Sequence, residues 1–184
     1  MIDACKLGDI EEVKNIILSG KTLPSMALRL AAENGYMDMV KYLVEKGGDK
    51  IGESYSKALC GASGKGHIEI VAFLSEVIKK NGITGSGERA MVNAASNGHL
   101  NVLKYLVEHA NNIYDCHRSV IVSAAGKGHL DIIEYLLSVA DQQRHVLDDA
   151  LCIAGANGHL AVVKYLSDHG ASCLLYTSPS PRDS

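Results

Sequence analysis

The chain has 184 residues, 47% hydrophobic, 21% charged and 5% aromatic, with no tryptophan and a formal net charge of -3. That balance gives no general attraction to nucleic acid or to an anionic membrane surface, and no apolar run approaches the roughly 18 residues needed to cross a bilayer. No signal peptide precedes Asp3, so the expectation is an intracellular, cytoplasmic protein with no nucleic-acid or membrane partner.

A short phrase recurs along the chain, in its clearest copy Ala94-Ala95-Ser96-Asn97-Gly98-His99-Leu100-Asn101-Val102-Leu103-Lys104-Tyr105-Leu106. The copies are anchored by Gly8, Gly35, Gly66, Gly98, Gly128 and Gly158, at spacings of 27, 31, 32, 30 and 30 residues. Four residues before each glycine stands Ala4, Ala31, Ala62, Ala94, Ala124 or Ala154. One residue after it comes His67, His99, His129 or His159, with Asp9 and Tyr36 in the first two copies. Self-similarity at a period of about 30 marks an array of stacked units. Each unit reads as a first helix, a break at glycine and a second amphipathic helix. Alanine lets backbones approach, and glycine ends a helix in the left-handed conformation without a Cβ penalty. Glu11, Asp38, Glu69 and Asp131 fall in the first turn of the second helix, where they complement its dipole. Leu100, Leu103, Leu106 and Val107 recur at helical spacing and give one buried stripe.

In chain order the predicted units are residues 1–25, a partial copy holding only the end of a first helix, then 26–54, 55–87, 88–116, 117–146 and 147–172. Pro24 precedes the second copy, where proline is tolerated. In the third, Gly61 and Gly64 lie inside the helix and each costs it roughly 1 kcal/mol relative to alanine. The connector Asn81 to Gly87 is the longest, and its glycine content marks it as the most mobile loop. Residues 173–184 break the period and resemble the conceptual translation of a transposase adapter used in sequencing libraries. They are expected to be a disordered, non-native tail, with the natural gene continuing beyond Ser172.

The phrases Asn97-Gly98-His99-Leu100 and Asn157-Gly158-His159-Leu160, with Leu166-Ser167-Asp168-His169-Gly170-Ala171 ending a second helix, resemble the ankyrin repeat over residues 1 to 172. The period is a few residues short of the usual ~33. The family's Thr-Pro-Leu-His is replaced by Met26-Ala27-Leu28-Arg29, Arg89-Ala90-Met91-Val92 and Asp149-Ala150-Leu151-Cys152. Such shortened units look like the arrays common in giant viruses and amoebae. The resemblance implies an all-α solenoid, monomeric, that recognises a protein partner on its concave face. The alternative is a targeting or adaptor segment of a longer protein.

The histidine series His67, His99, His129 and His159 is not a metal site. Equivalent positions in stacked units lie about a helix-packing distance of ~8–10 Å apart, whereas zinc ligands sit at about 2.0–2.1 Å. Each histidine is expected to bond backbone at the turn between its own helices. The aromatic series Tyr42, Phe73, Tyr105, Tyr135 and Tyr165 could stack bases, but no continuous basic groove accompanies it, and packing between second helices is expected. Ser123, His129 and Asp131 could be assembled into a triad on paper, yet Gly-x-Ser-x-Gly is absent. Gly61 to Gly66 lacks the ending of a phosphate loop. No catalysis and no cofactor are expected. Five cysteines, Cys5, Cys60, Cys116, Cys152 and Cys173, contain no C-x-x-C pair and read as reduced structural thiols.

What packing leaves unexplained are first-helix slots that change between units, five residues and one residue before each glycine. These make the candidate partner-binding set: Leu30, Asn34, Lys65, Asn93, Asn97, Ser123, Lys127, Ile153 and Asn157. Deleting residues 173–184 is expected to leave the thermal midpoint unchanged, and a drop of several degrees in a melting scan would show that the tail packs on the sixth unit.

Overall fold

The computed structural model describes residues 2–19, 25–47, 52–83, 87–109, 117–139 and 144–172. Among these every regular element is a helix, and they divide between two compact units, Met1–Ile113 and Tyr114–Ser184. The first unit holds α1 (Ile2–Leu7), α2 (Ile10–Leu18), α3 (Ser25–Glu33), α4 (Met37–Gly47), α5 (Gly52–Lys65), α6 (Ile68–Lys80), α7 (Gly87–Ser96) and α8 (Leu100–His109). The second holds α9 (His117–Lys127), α10 (Leu130–Val139), α11 (Arg144–Ala156) and α12 (Leu160–Asp168). Pro24, Thr84 to Ser86 and the tail 173–184 lie outside the described residues.

In the first unit α1, α3, α5 and α7 pack side by side, and each carries its second helix, with α4 against α6 and α6 against α8. In the second, α9 packs on α11, and α10 and α12 pack on their own first helices. The first-helix layer is closed by small residues. Ala31, Ala62, Ala94, Ala124 and Ala154, the alanines four before each glycine, have no exposed surface. The second helices supply bulk: Met39, Val40 and Leu43 in α4, Ile70, Val71 and Leu74 in α6, Val102 and Leu103 in α8, Ile132, Ile133 and Leu136 in α10. These recur at i, i+1 and i+4, one helical stripe each, so burial of that stripe is what makes these short helices stable.

Two first helices begin earlier than their alanines indicate. α5 starts at Gly52 and α11 at Arg144, so neither residue 55 nor residue 147 opens a helical unit. Burial explains it: Tyr55 is 2% exposed and Val146 6%, apolar positions that extend each stripe toward the N-terminus. Pro24 stands immediately before Ser25, the first residue of α3.

All six anchor glycines have positive φ, between 75° and 80°. Around Gly98, its own N–H bonds the Ala95 carbonyl at 3.4 Å and the His99 N–H bonds the Ala94 carbonyl at 2.9 Å. This is the Schellman closure of a helix end. The same pair of bonds closes α5 at Gly66, α9 at Gly128 and α11 at Gly158.

Glycines inside α5 differ from the anchors. A Cβ built on Gly64 would meet Asn93 and Asn97 at an ordinary 3.6 Å. One built on Gly128 would fall 2.6 Å from His159 Nδ1, at φ 78°. Gly64→Ala is therefore expected to stabilise the chain by about 0.5–1 kcal/mol through helix propensity. Gly128→Ala is expected to destabilise it by at least about 1 kcal/mol. Urea midpoints of the two variants moving in the same direction would contradict this account.

Candidate functional site: the first-helix ends

The carbonyls at the end of a helix have no partner within it. In this chain those four and three residues before Gly35, Gly66, Gly98, Gly128 and Gly158 are taken by backbone bonds of the kind just described. The carbonyl two residues before is taken by the following repeat. His67 Nε2 bonds the Glu33 carbonyl at 3.1 Å, His99 Nε2 the Gly64 carbonyl at 3.2 Å, and His159 Nε2 the Gly126 carbonyl at 3.0 Å. Because a carbonyl only accepts, each ring carries its proton on Nε2. Tyr36 does the same with its hydroxyl, which donates to the Lys6 carbonyl at 3.1 Å.

The rings were expected to bond the turn between their own helices. They reach instead to the preceding repeat, because their own turns are already satisfied by main-chain N–H groups. The ring lies where the glycine Cβ is missing: an added Cβ would be 2.9 Å from Tyr36 at Gly8, 2.8 Å from His67 at Gly35 and 2.7 Å from His99 at Gly66. A histidine used this way cannot cap its own helix, and neither His67 nor His159 does. Asp9, in the same slot, caps its own helix and accepts the Glu12 N–H at 3.0 Å.

The slot one before the glycine also has a structural task. Asn34, Asn97 and Asn157 donate through Nδ2 to the carbonyls of Leu30, Asn93 and Ile153 at 2.8, 2.8 and 2.9 Å. Lys65 and Lys127 stand at that slot in α5 and α9, where an ammonium complements the negative end of the helix dipole. All five side chains are exposed.

Residues of the slot five before the glycine fare differently. Leu30 is buried at 9% exposure and belongs to the core. Asn93 is half-buried and donates to the Cys60 carbonyl at 3.1 Å, tying α7 to α5. Ser123 is half-buried, and Ile153, 37% exposed, leans its Cγ2 toward Gly126. The first unit thus gathers Asn34, Lys65 and Asn97 on exposed first-helix ends. The second gathers Lys127, Ile153 and Asn157 in the same way.

Charge pairs add to the first-helix layer. Arg29 bonds Glu33 at 2.6 Å within α3, and Arg118 of α9 bonds Asp149 of α11 at 2.6 Å. The residues alone gave no hint of the second pair, which needs the stacking offset between α9 and α11. Tyr105 stacks on His109 of its own helix, and Tyr165 meets His169 at the end of α12 at a tilt of 31°, ring centroids 4.1 Å apart in both. Lys14 of α2 lies 6.0 Å from the centroid of Tyr42 in α4, a contact between adjacent second helices. Among the described residues no group of three or more His, Cys, Asp or Glu is placed to hold a metal, and no helix is long and apolar enough to cross a membrane.

Burial raises the thiol pKa of Cys5, slightly offset by the chain's N-terminus, and that of Cys60, slightly offset by Arg89. Cys5 and Cys60 are free thiols. A thiol raised in the folded state ionises first in the unfolded chain. Its contribution is fully present below the ordinary thiol value, about 8.5, and is lost as pH rises through the folded value. Alkylation of Cys5 and Cys60 by iodoacetamide at mildly alkaline pH is expected to be much slower in the folded protein than in urea. Equal rates would show that burial does not protect them.

An ankyrin-repeat family model (three copies) matches residues 1–84, 28–117, 59–148 and 91–177. The crystal structure of the human ASB11 ankyrin repeat domain is similar, with a TM-score of 0.69 and 20% sequence identity over 93% of this chain and 83% of that one. No curated protein matches. One helix–turn–helix unit, repeated around an alanine, a left-handed glycine and a ring that reaches back, together with the family match, shows that the chain belongs to the ankyrin repeat family.

Proposed function

We propose that this chain binds a protein partner through the exposed ends of its first helices. Ankyrin repeats are in general protein–protein interaction modules, and the fold is typically a scaffold without catalysis. The observation that carries the reading is a contrast between slots at one helix end. In α3, α5, α7 and α9 the positions four and three before the glycine are small and buried, whereas the position one before it is exposed at the ends of α3, α5, α7, α9 and α11 and alternates between asparagine and lysine.

Each asparagine spends one N–H on its own helix and keeps a carbonyl oxygen and a second N–H at the surface. Lys65 and Lys127 place an ammonium beside these amides, which suits an acidic patch on the partner and acts more on the rate of encounter than on affinity. Ile153 adds apolar contact area in the second unit. Leu30 and Asn93 act behind this face, one filling the core and one fixing α7 on α5.

The test is site-directed photo-crosslinking. A benzophenone side chain at Lys65 or at Lys127 is expected to trap a protein in cell extract, and one at Lys104 or Lys164 on the second helices is not. Asn97→Ala combined with Lys127→Glu is expected to weaken binding of the trapped partner by about tenfold or more, as loss of about 1.4 kcal/mol requires. Adducts arising only from Lys104 and Lys164 would move the interface to the second helices.

A further inference from the structure

Among the described residues four asparagines precede a glycine of positive φ: Asn34, Asn81, Asn97 and Asn157, before Gly35, Gly82, Gly98 and Gly158. That pairing has a chemistry of its own. The main-chain nitrogen that follows an asparagine can reach the asparagine Cγ and close a five-membered ring, and glycine, having no Cβ, crowds that approach least. All four asparagines are exposed. What separates them is how firmly the fold holds the two reacting groups.

Three are held. Asn34, Asn97 and Asn157 donate through Nδ2 to their own helices at 2.8, 2.8 and 2.9 Å, which fixes each side-chain amide against its helix end. At Gly35 the His67 ring also lies across the glycine, 2.8 Å from where a Cβ would stand, so this turn cannot rotate without dislodging the next repeat. Gly158 lacks such a cover, with nothing within 4 Å of a built Cβ, and Asn157 relies on its hydrogen bond.

Asn81 has neither restraint. It caps α6 with φ -89° and ψ 5°, and its side-chain amide bonds nothing among the described residues. Nothing stands within 4 Å of a Cβ built on Gly82, and Gly82 is exposed where Gly35 and Gly98 are half-buried. The turn is closed by the Gly82 N–H on the Lys79 carbonyl at 3.2 Å and the Ile83 N–H on the Ile78 carbonyl at 3.1 Å. Breaking these bonds frays the last turn of α6, the kind of local opening that costs least. It frees ψ of Asn81 to carry the Gly82 nitrogen to Cγ.

We propose that Asn81–Gly82 is a self-modification site of the folded chain. The Gly82 nitrogen bonds Asn81 Cγ, the Cγ–Nδ2 bond breaks, and the Gly82 amide proton leaves with the side-chain NH2 as ammonia. Water then opens the succinimide at one carbonyl or the other, leaving aspartate or isoaspartate at position 81. Either product sets a carboxylate at the negative end of the α6 dipole, next to Lys79 and Lys80 of the last turn. Isoaspartate also lengthens the main chain by one carbon between α6 and α7, helices of successive repeats.

The test is ageing of the full chain at neutral pH and body temperature, followed by peptide mapping for the amide-to-acid mass gain and by labelling with an isoaspartyl methyltransferase. Asn81 is expected to convert about tenfold faster than Asn34 and Asn97, with Asn157 between them, and in urea all four are expected to convert within about threefold of one another. Asn81→Gln, whose longer side chain would need a six-membered ring, is expected to remove most of the isoaspartate label. Equal rates at the four sites of the folded chain, faster conversion of Asn34 or Asn97, or a label that survives Asn81→Gln overturns the proposal. A spread that persists unchanged in urea overturns it equally, since the fold would then not set the rates.

Discussion

Every α-helix ends with carbonyls that its own backbone cannot satisfy, and in a stack of short helices those ends recur about every thirty residues. Here the requirement is met by a division of labour at one turn. The left-handed glycine allows two carbonyls to be closed from within the unit, as at Gly98. An asparagine side chain reinforces a third, as Asn97 does at Asn93. The last is left pointing toward the next unit, whose ring reaches back for it, as His99 does for Gly64. Glycine is needed twice over. Its φ suits the turn, and its missing Cβ makes the space in which the ring lies. The turn that ends one helix is therefore also the joint between repeats.

That arrangement constrains which first-helix residues are free to vary. Close approach of α3, α5 and α7, and of α9 and α11, holds the slots four and three before the glycine to alanine, glycine, serine or cysteine. Ser63 shows the limit of that tolerance: it is fully buried and its hydroxyl has no hydrogen-bond partner. The slot one before the glycine must serve a helix end, which asparagine does by hydrogen bonding and lysine by charge. The variation left open at that slot is therefore written with few letters, amide or ammonium.

The period, the helix–turn–helix unit, the buried alanines and the left-handed glycines were all legible in the sequence, because each follows from local geometry that repeats in register. The histidine partners were not. Nothing within one unit shows that its turn carbonyls are already occupied, and the bond spans about 34 residues, as from His67 to Glu33. Leu30 was read as surface from its slot, but that slot faces sideways in the layer, and a leucine there turns into the core. Asn34, Asn97 and Asn157 looked unexplained by packing because their task is hydrogen bonding, which leaves no trace in hydropathy. The early starts of α5 and α11 were hidden because their first turns, Gly52 to Tyr55 and Arg144 to Leu147, add a turn that the other first helices lack.

α5 shows how far stacking overrides local preference. It carries Gly61 and Gly64 in its interior, residues that weaken an isolated helix. Each faces a neighbour. A Cβ on Gly61 would fall on the side chain of Glu33 in α3, and one on Gly64 would touch Asn93 and Asn97 of α7. Glu33 is itself held by Arg29 and gives its carbonyl to His67, the residue that follows the α5 turn. Gly64 gives its carbonyl to His99, which follows the turn of α7. Gly61 is thus spent on close approach to α3, whereas Gly64 leaves room for a methyl group, and what the helix loses in propensity is offset by bonds to the repeats on either side. In a quasi-one-dimensional array stability is carried by such interfaces, so the weakest helix by composition can stand where the stack is most tightly joined.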